Sequence, residues 1–215
     1  MIVTDIIAIN NKKCKIFLDD QFAFALYKGE LQSYQIKKDC PIGQKENEEI
    51  LHKLLPKRAI LRAMNLLKER SYTRYQLLQK LKEGFYPQDC IDTAIDYVES
   101  YGYINDRQYA MDFITYRSES LNRMQIRQKL LKKGIDAGLI EEVFETFYQE
   151  GNEIEEERQI LSFLNKKSYF QQAEEKERQK ILAALMRKGY RYEQICSVIR
   201  SEEEAGYYKE SMPDY

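Results

Sequence analysis

Few side chains in this sequence converge in a way that would support chemistry. His52 is the only histidine. It sits in a Lys- and Leu-rich helical segment with no evident partner for general-base or metal-ligand duty, and reads as a surface residue. Asp19-Asp20 is the kind of acidic pair that holds a divalent ion in nuclease chemistry. It falls where a hairpin turn is expected, however, and Asp is an ordinary turn residue. Cys14, Cys40, Cys90 and Cys196 lie far apart with no Cys-x-x-Cys pair, a spacing that disfavours thiolate metal ligation. With ample apolar residues for a core, reduced thiols are expected rather than disulfides. The phosphate-loop, dinucleotide and serine-elbow signatures are missing. No enzyme activity and no cofactor or metal is expected.

The sequence does carry a repeated basic register. Arg58 and Arg107, Lys68 and Arg117, Arg74 and Arg123, and Lys80 and Lys129 are each 49 residues apart. Lys132 and Lys133 extend the second set. Stacked units would align such residues into a stripe along which a polyanion, or the acidic face of a partner, would run. Tyr72, Tyr75, Tyr109 and Tyr116 are interleaved with it and suit stacking on exposed bases. A competing reading stays open. Lys and Arg are common on solvated helix faces, where their stems cover apolar neighbours. Arg74, Arg123 and Arg178 fall near an apolar arc, and several of the tyrosines have core spacing. The net charge is −1, so local patches matter more than the total. Residues 57–82 are basic, whereas 141–157 carry Glu141, Glu142, Glu145, Glu150, Glu153, Glu155, Glu156 and Glu157 with no base.

The elements that position these residues follow from an internal repeat. Arg74-x2-Leu77-x3-Leu81-x9-Ile91 returns as Arg123-x2-Ile126-x3-Leu130-x9-Ile140. It returns again as Arg178-x2-Ile181-x3-Leu185-x9-Ile195. Each copy predicts three helices, the second ending near Gly84, Gly134 or Gly189. Leading-helix positions match as Ile60/Tyr109, Met64/Phe113 and Leu67/Tyr116, which predicts that Tyr109, Phe113 and Tyr116 face a core. Extra residues around 166–172 separate the third copy. Three short helices bury little alone, so neighbours should stack. Before the repeats, residues 2–9, Lys15–Leu18 and Phe22–Leu26 read as three strands of a meander. Leu31–Ile36 reads as a short helix and Lys37–Gln44 as a linker. Pro56 is read as starting the first helix of the first copy. Asn105 or Asp106 is read as capping the corresponding helix of the second, with Asp106 structural rather than catalytic.

The expected fold is therefore mainly α: tandem three-helix repeats in an elongated array, preceded by a small N-terminal antiparallel β meander. The expected division is 1–45 for the β extension and linker, 46–102, 103–150 and 151–204 for the repeats, and 205–215 for a flexible tail. Hydrophobic residues are 43% and charged residues 32% of the 215, a balance that suits such a fold better than a compact enzyme. No signal-peptide pattern or membrane-length apolar run is present, so a soluble, cytoplasmic protein is expected.

These segments resemble a known family. Ser71–Leu81 is similar to the first-repeat segment of the RecX family. Tyr103-Ile104-Asn105-Asp106-Arg107-Gln108-Tyr109-Ala110 resembles its unit-opening motif. Ile126-Arg127-Gln128-Lys129-Leu130-Leu131-Lys132-Lys133-Gly134-Ile135 resembles its central Arg-x-x-Leu-x-x-Lys-Gly segment. The likeness spans about residues 55–200. Gly84, one position early relative to the other copies, departs from it and predicts a local change of turn. The resemblance implies a non-enzymatic regulator of homologous recombination that binds the RecA recombinase and its filament on single-stranded DNA, and inhibits it. A monomer without a membrane partner is expected. The candidate RecA- or DNA-binding residues are Arg58, Lys68, Arg74, Lys80, Arg107, Arg117, Arg123, Arg127, Lys129, Lys132 and Lys133. The alternative is a helical-repeat adaptor for another protein, with no DNA role.

Overall fold

The computed structural model describes residues 1–210. The chain divides into two compact units, the first Met1–Tyr109 and the second beginning at Ala110.

The first unit opens with the expected meander: β1 (Val3–Ala8), β2 (Lys13–Leu18) and β3 (Gln21–Tyr27), antiparallel in that order. Asp19 and Asp20 both adopt positive φ, 47° and 66°, and form the two-residue turn that matches strand twist. The Asp19 carboxylate also accepts the Ile2 N–H at 2.8 Å, so this pair is committed to the turn. Alternation on β2 buries Cys14, Ile16 and Leu18, the signature of a sheet with one face on a core.

Two segments differ from the expectation. The short helix is α1 (Lys28–Ser33), earlier than Leu31–Ile36. Glu30 accepts the Tyr27 N–H at its start, and Gln35, at φ 52°, closes it. Residues 37–44 are not a free linker. Val3 N–H donates to the Cys40 carbonyl at 3.0 Å, Asp39 N–H to Val3 at 2.8 Å and Ile42 N–H to Met1 at 3.0 Å. Pro41, bridged to Ile2, lies on the outer side of β1, where a missing N–H does no harm.

α2 (Gln44–Glu49) then runs through a π-helical turn, Ile50–Leu54, into α3 (Leu55–Glu69). Pro56 therefore does not start a helix after a break. The wide turn just before it fits a ring that supplies no N–H and crowds the preceding turn. α4 (Arg74–Glu83) and α5 (Gln88–Ser100) complete the first repeat. Ala59 and Ala63 are fully buried on α3, and their small size lets α3 and α5 pack closely. One continuous core joins Val3, Ile16 and Phe24 to Leu77, Ile91 and Ile104, so the meander packs on the first repeat.

α6 (Asp106–Arg117), α7 (Arg123–Lys132) and α8 (Ala137–Gln149) form the second repeat. α9 (Glu156–Lys166), a 3₁₀ turn at Tyr169–Gln171, α10 (Glu175–Arg187) and α11 (Tyr192–Glu210) form the third. α11 runs through residues expected to be tail; the remainder of that segment, 211–215, lies outside the described residues. The repeat anchors are core positions: Leu77, Ile126, Leu81, Leu130, Leu185, Ile91, Ile140 and Ile195 are all buried, and Ile181 is half-buried. The inserted residues of the third copy form the 3₁₀ turn, and α10 begins three residues before Arg178, whereas α4 and α7 begin at its counterparts Arg74 and Arg123.

Tyr116 is 77% exposed, against the expectation that it faces a core. α6 buries Ala110 and Ile114; Tyr109 and Phe113 flank that face half-buried. Tyr116 lies two residues past Ile114, about 200° around the helix at ~100° per residue.

The helix-to-helix turns explain the displaced Gly84. Gly134 and Gly189 carry φ of 80° and 97°, and at the equivalent place in the first repeat it is Phe85, φ 59°, that is left-handed. A non-glycine there costs roughly 1–2 kcal/mol and persists where surroundings dictate it. Those surroundings are the meander. Lys13 Nζ donates to the Gly84 carbonyl, Lys15 Nζ lies 4.2 Å from the Phe85 ring centre, and Phe22 meets that ring edge-on at 6.4 Å.

Candidate interface for RecA and nucleic acid

The candidate cations divide by what holds them. In the first unit, Arg58 is a strut. It is 13% exposed and pairs with Glu30 at 2.5 Å. It also donates to the Ala25 carbonyl and lies over the Tyr27 and Tyr86 rings at 4.9 and 5.5 Å. The reading of Arg58 as a surface contact is therefore corrected: α3 turns it inward against β3 and α1. Lys13 shares this cluster, and burial, with the Arg58 charge, lowers its ammonium pKa to about 8. Arg74 pairs with Glu99 at 3.0 Å and Lys80 with Glu83 at 2.6 Å. Lys68 and Arg107 are exposed.

In the second unit, Glu141 clamps two candidates: Arg123 Nη2 at 2.6 Å and Arg127 Nε at 2.8 Å. These bonds hold the Glu141 carboxyl below its ordinary pKa, Arg127 contributing most. Arg123 also stacks over Phe144 and Tyr148. Lys133 lies over Phe113, and Arg117 over Tyr116. Lys129 and Lys132 are exposed on α7. Of the candidates in this unit, Arg117, Arg123, Lys129 and Lys132 are exposed and Arg127 is half-buried. Arg178, the third copy's equivalent of Arg74, donates to the Gln172 carbonyl at 2.8 Å, a structural duty like that expected from its place on the wheel.

The second helices start alike in both units. Thr73 and Asn122 are fully buried and form capping boxes with Gln76 and Gln125. Each helix then receives a carboxylate from the first residue of the following repeat. Asp106 Oδ1 accepts the Arg74 N–H at 2.8 Å, and Glu156 Oε1 accepts the Arg123 N–H at 3.0 Å. The cap of α6 is Asn105, whose Oδ1 accepts the Gln108 N–H at 3.0 Å. Asp106 is structural, as expected, but toward α4. The sequence signal for this device is an acid at the first position of a repeat-opening helix.

Of the tyrosines read as base-stacking, Tyr72 is buried, Tyr109 half-buried, and Tyr75 and Tyr116 exposed. An exposed cluster that the sequence reading missed is Tyr97, Tyr101 and Tyr103. Their ring centres lie 4.8 and 5.9 Å apart in succession, Tyr97 and Tyr101 one helical turn apart and Tyr103 just past Gly102, whose φ is 68°. All four cysteines are free thiols; burial pushes Cys90 up to about 11, which keeps it unreactive. Among the described residues, no helix is long and apolar enough to cross a membrane.

Comparison with known proteins gives matches along the same register. Residues 59–97, 105–143 and 155–199 match, in order, the first, second and third three-helix domains of RecX. A regulatory protein RecX of Caldanaerobacter subterraneus is 30% identical over 163 residues, 75% of this chain and 83% of that protein. One of Clostridium botulinum is 27% identical over 198 residues, 89% of this chain and 90% of that protein. A crystal structure of regulatory protein RecX shares the fold with a TM-score of 0.61 at 21% identity, covering 92% of this chain and 98% of its own. Three consecutive domain matches, aligned with three buried repeat cores, place this chain in the RecX family.

Proposed function

We propose that this protein regulates homologous recombination by binding the RecA filament on single-stranded DNA and lowering its activity, without a reaction of its own. The observation that carries the reading is the set of exposed cations Arg117, Lys129 and Lys132 in the second unit, on a RecX-family repeat scaffold. Cations of this kind meet phosphates as point charges and forks, with little sequence preference. The test is RecA filament disassembly on single-stranded DNA, followed with wild type and with Arg117→Glu/Lys129→Glu/Lys132→Glu. The variant is expected to lose the effect while keeping its helicity. Undiminished inhibition by the folded variant would reject this surface.

A second reading, an adaptor for a protein partner alone, is favoured by the exposed Tyr97, Tyr101 and Tyr103 ladder, since aromatic residues are enriched at protein interfaces. Capture of partners from lysate with and without nuclease separates the two: retention after nuclease, with no binding to purified single strands, favours the adaptor.

A further inference from the structure

The second unit contains an open cleft of about 1030 Å³ whose lining includes Arg123, Arg127 and Arg191. This is room for several nucleotides' worth of sugar-phosphate chain. Its other lip is the connector between the second and third repeats, which contributes Glu153, Glu155 and Glu157, with Arg158 paired to Glu155 at the start of α9. Those three glutamates are exposed. Two further carboxylates already sit on the arginine side: Glu141 on the Arg123 and Arg127 side chains, and Glu156 on the Arg123 N–H. The places that a phosphodiester would take on these cations are therefore filled or faced by the protein's own acids.

We infer that this cleft is a seat for the phosphate backbone of single-stranded DNA, and that the acidic connector masks it. This rests on the reading of the protein as a nucleic-acid-associated regulator. Glu141 and Glu156 are built into the packing of α7, α8 and α9. Glu153 and Glu157 are not, and Glu155 is held only by its exposed i+3 neighbour Arg158 at 2.8 Å; together the three supply the field that an incoming strand must overcome. Like charges facing a polyanion weaken its binding and slow its approach. Binding then works against the connector's field, and the affinity falls below what the arginine count would suggest.

The experiment is fluorescence anisotropy of a labelled oligo-dT with the full chain at several salt concentrations. It compares wild type, Glu153→Gln/Glu155→Gln/Glu157→Gln, and Glu202→Gln/Glu203→Gln/Glu204→Gln. The last set removes the same charge from exposed positions on α11 that do not line the cleft. The connector variant is expected to bind roughly tenfold tighter at low salt, with a log–log salt slope steeper by about 0.7 for each phosphate newly neutralised. The α11 variant is expected to stay near wild type. Equal gains in both variants would mean a global charge effect and overturn the inference. No gain in the connector variant, or no binding by any of the three proteins, would overturn it as well. The same proteins in the RecA filament assay tell the two readings apart. A wild type that disassembles filaments beside a connector variant with unchanged DNA affinity rejects the masked cleft alone. A wild type that leaves filaments intact rejects the RecA reading, whatever the DNA affinities.

Discussion

Arg58 and Arg107 occupy the same position in two copies of one repeat, yet Arg58 is locked under the meander while Arg107 faces solvent. Phe85 and Gly134 are likewise equivalent, and the same left-handed turn is held in one unit by aromatic and lysine contacts and in the other by glycine. Repeat equivalence thus fixes backbone and core, whereas the role of a surface side chain depends on what covers it. The first repeat has spent Arg58 on joining sheet to helices. The second leaves the equivalent Arg107 exposed.

Breaking that contrast should have its largest effect at Arg58. Arg58→Ala leaves Glu30 and the Ala25 carbonyl without their partner and should destabilise the protein by about 2 kcal/mol. Arg107→Ala should cost less than about 1 kcal/mol. Urea denaturation read by circular dichroism compares the two, and similar losses would erase the contrast. Gly189→Ala comes next, because the φ there is 97° and an added Cβ would lie 2.9 Å from Met124 Sδ. A loss of about 1–2 kcal/mol is expected. Phe85→Gly should change stability by less than that, since relief of the left-handed strain offsets the lost ring contacts. Asp106→Ala and Glu156→Ala should then cost about 1 kcal/mol each. Similar losses at the two sites are expected in thermal melts; a cost at only one would mean that the device is not shared.

A different kind of effect, a pH dependence, is expected to be specific to the first unit. The Lys13 pKa is lowered from 10.5 to about 8 in the fold, so between those values the unfolded chain holds more protons. Stability should therefore rise with pH across that window. Lys13→Met should remove this increment, which titrating melts from pH 7 to 9.5 would reveal as a flatter curve than that of wild type.

Much of this was legible in the sequence because it is written in periodicity. The anchors Leu77, Ile126 and Leu185 mark the buried faces whatever surrounds them. The turn role of Asp19-Asp20 follows from local backbone preference alone. The inward turn of Arg58, the pinning of residues 37–44 to β1 and the clamp of Glu141 on Arg123 and Arg127 are contacts between segments distant in sequence. No local pattern encodes them. Tyr116 shows the opposite failure: its match to Leu67 is real as register, but α6 buries Ala110 and Ile114 instead.

The carboxylates of Asp106 and Glu156 carry a last consequence, for how such a chain can be cut or synthesised. Each belongs by sequence to one repeat and finishes the helix start of the repeat before it. A fragment that stops at Gly102, the natural seam of the sequence repeat, omits both Ile104 from the first core and the acid at the head of α4. During translation, the first repeat is likewise incomplete until the opening residues of the second have left the ribosome.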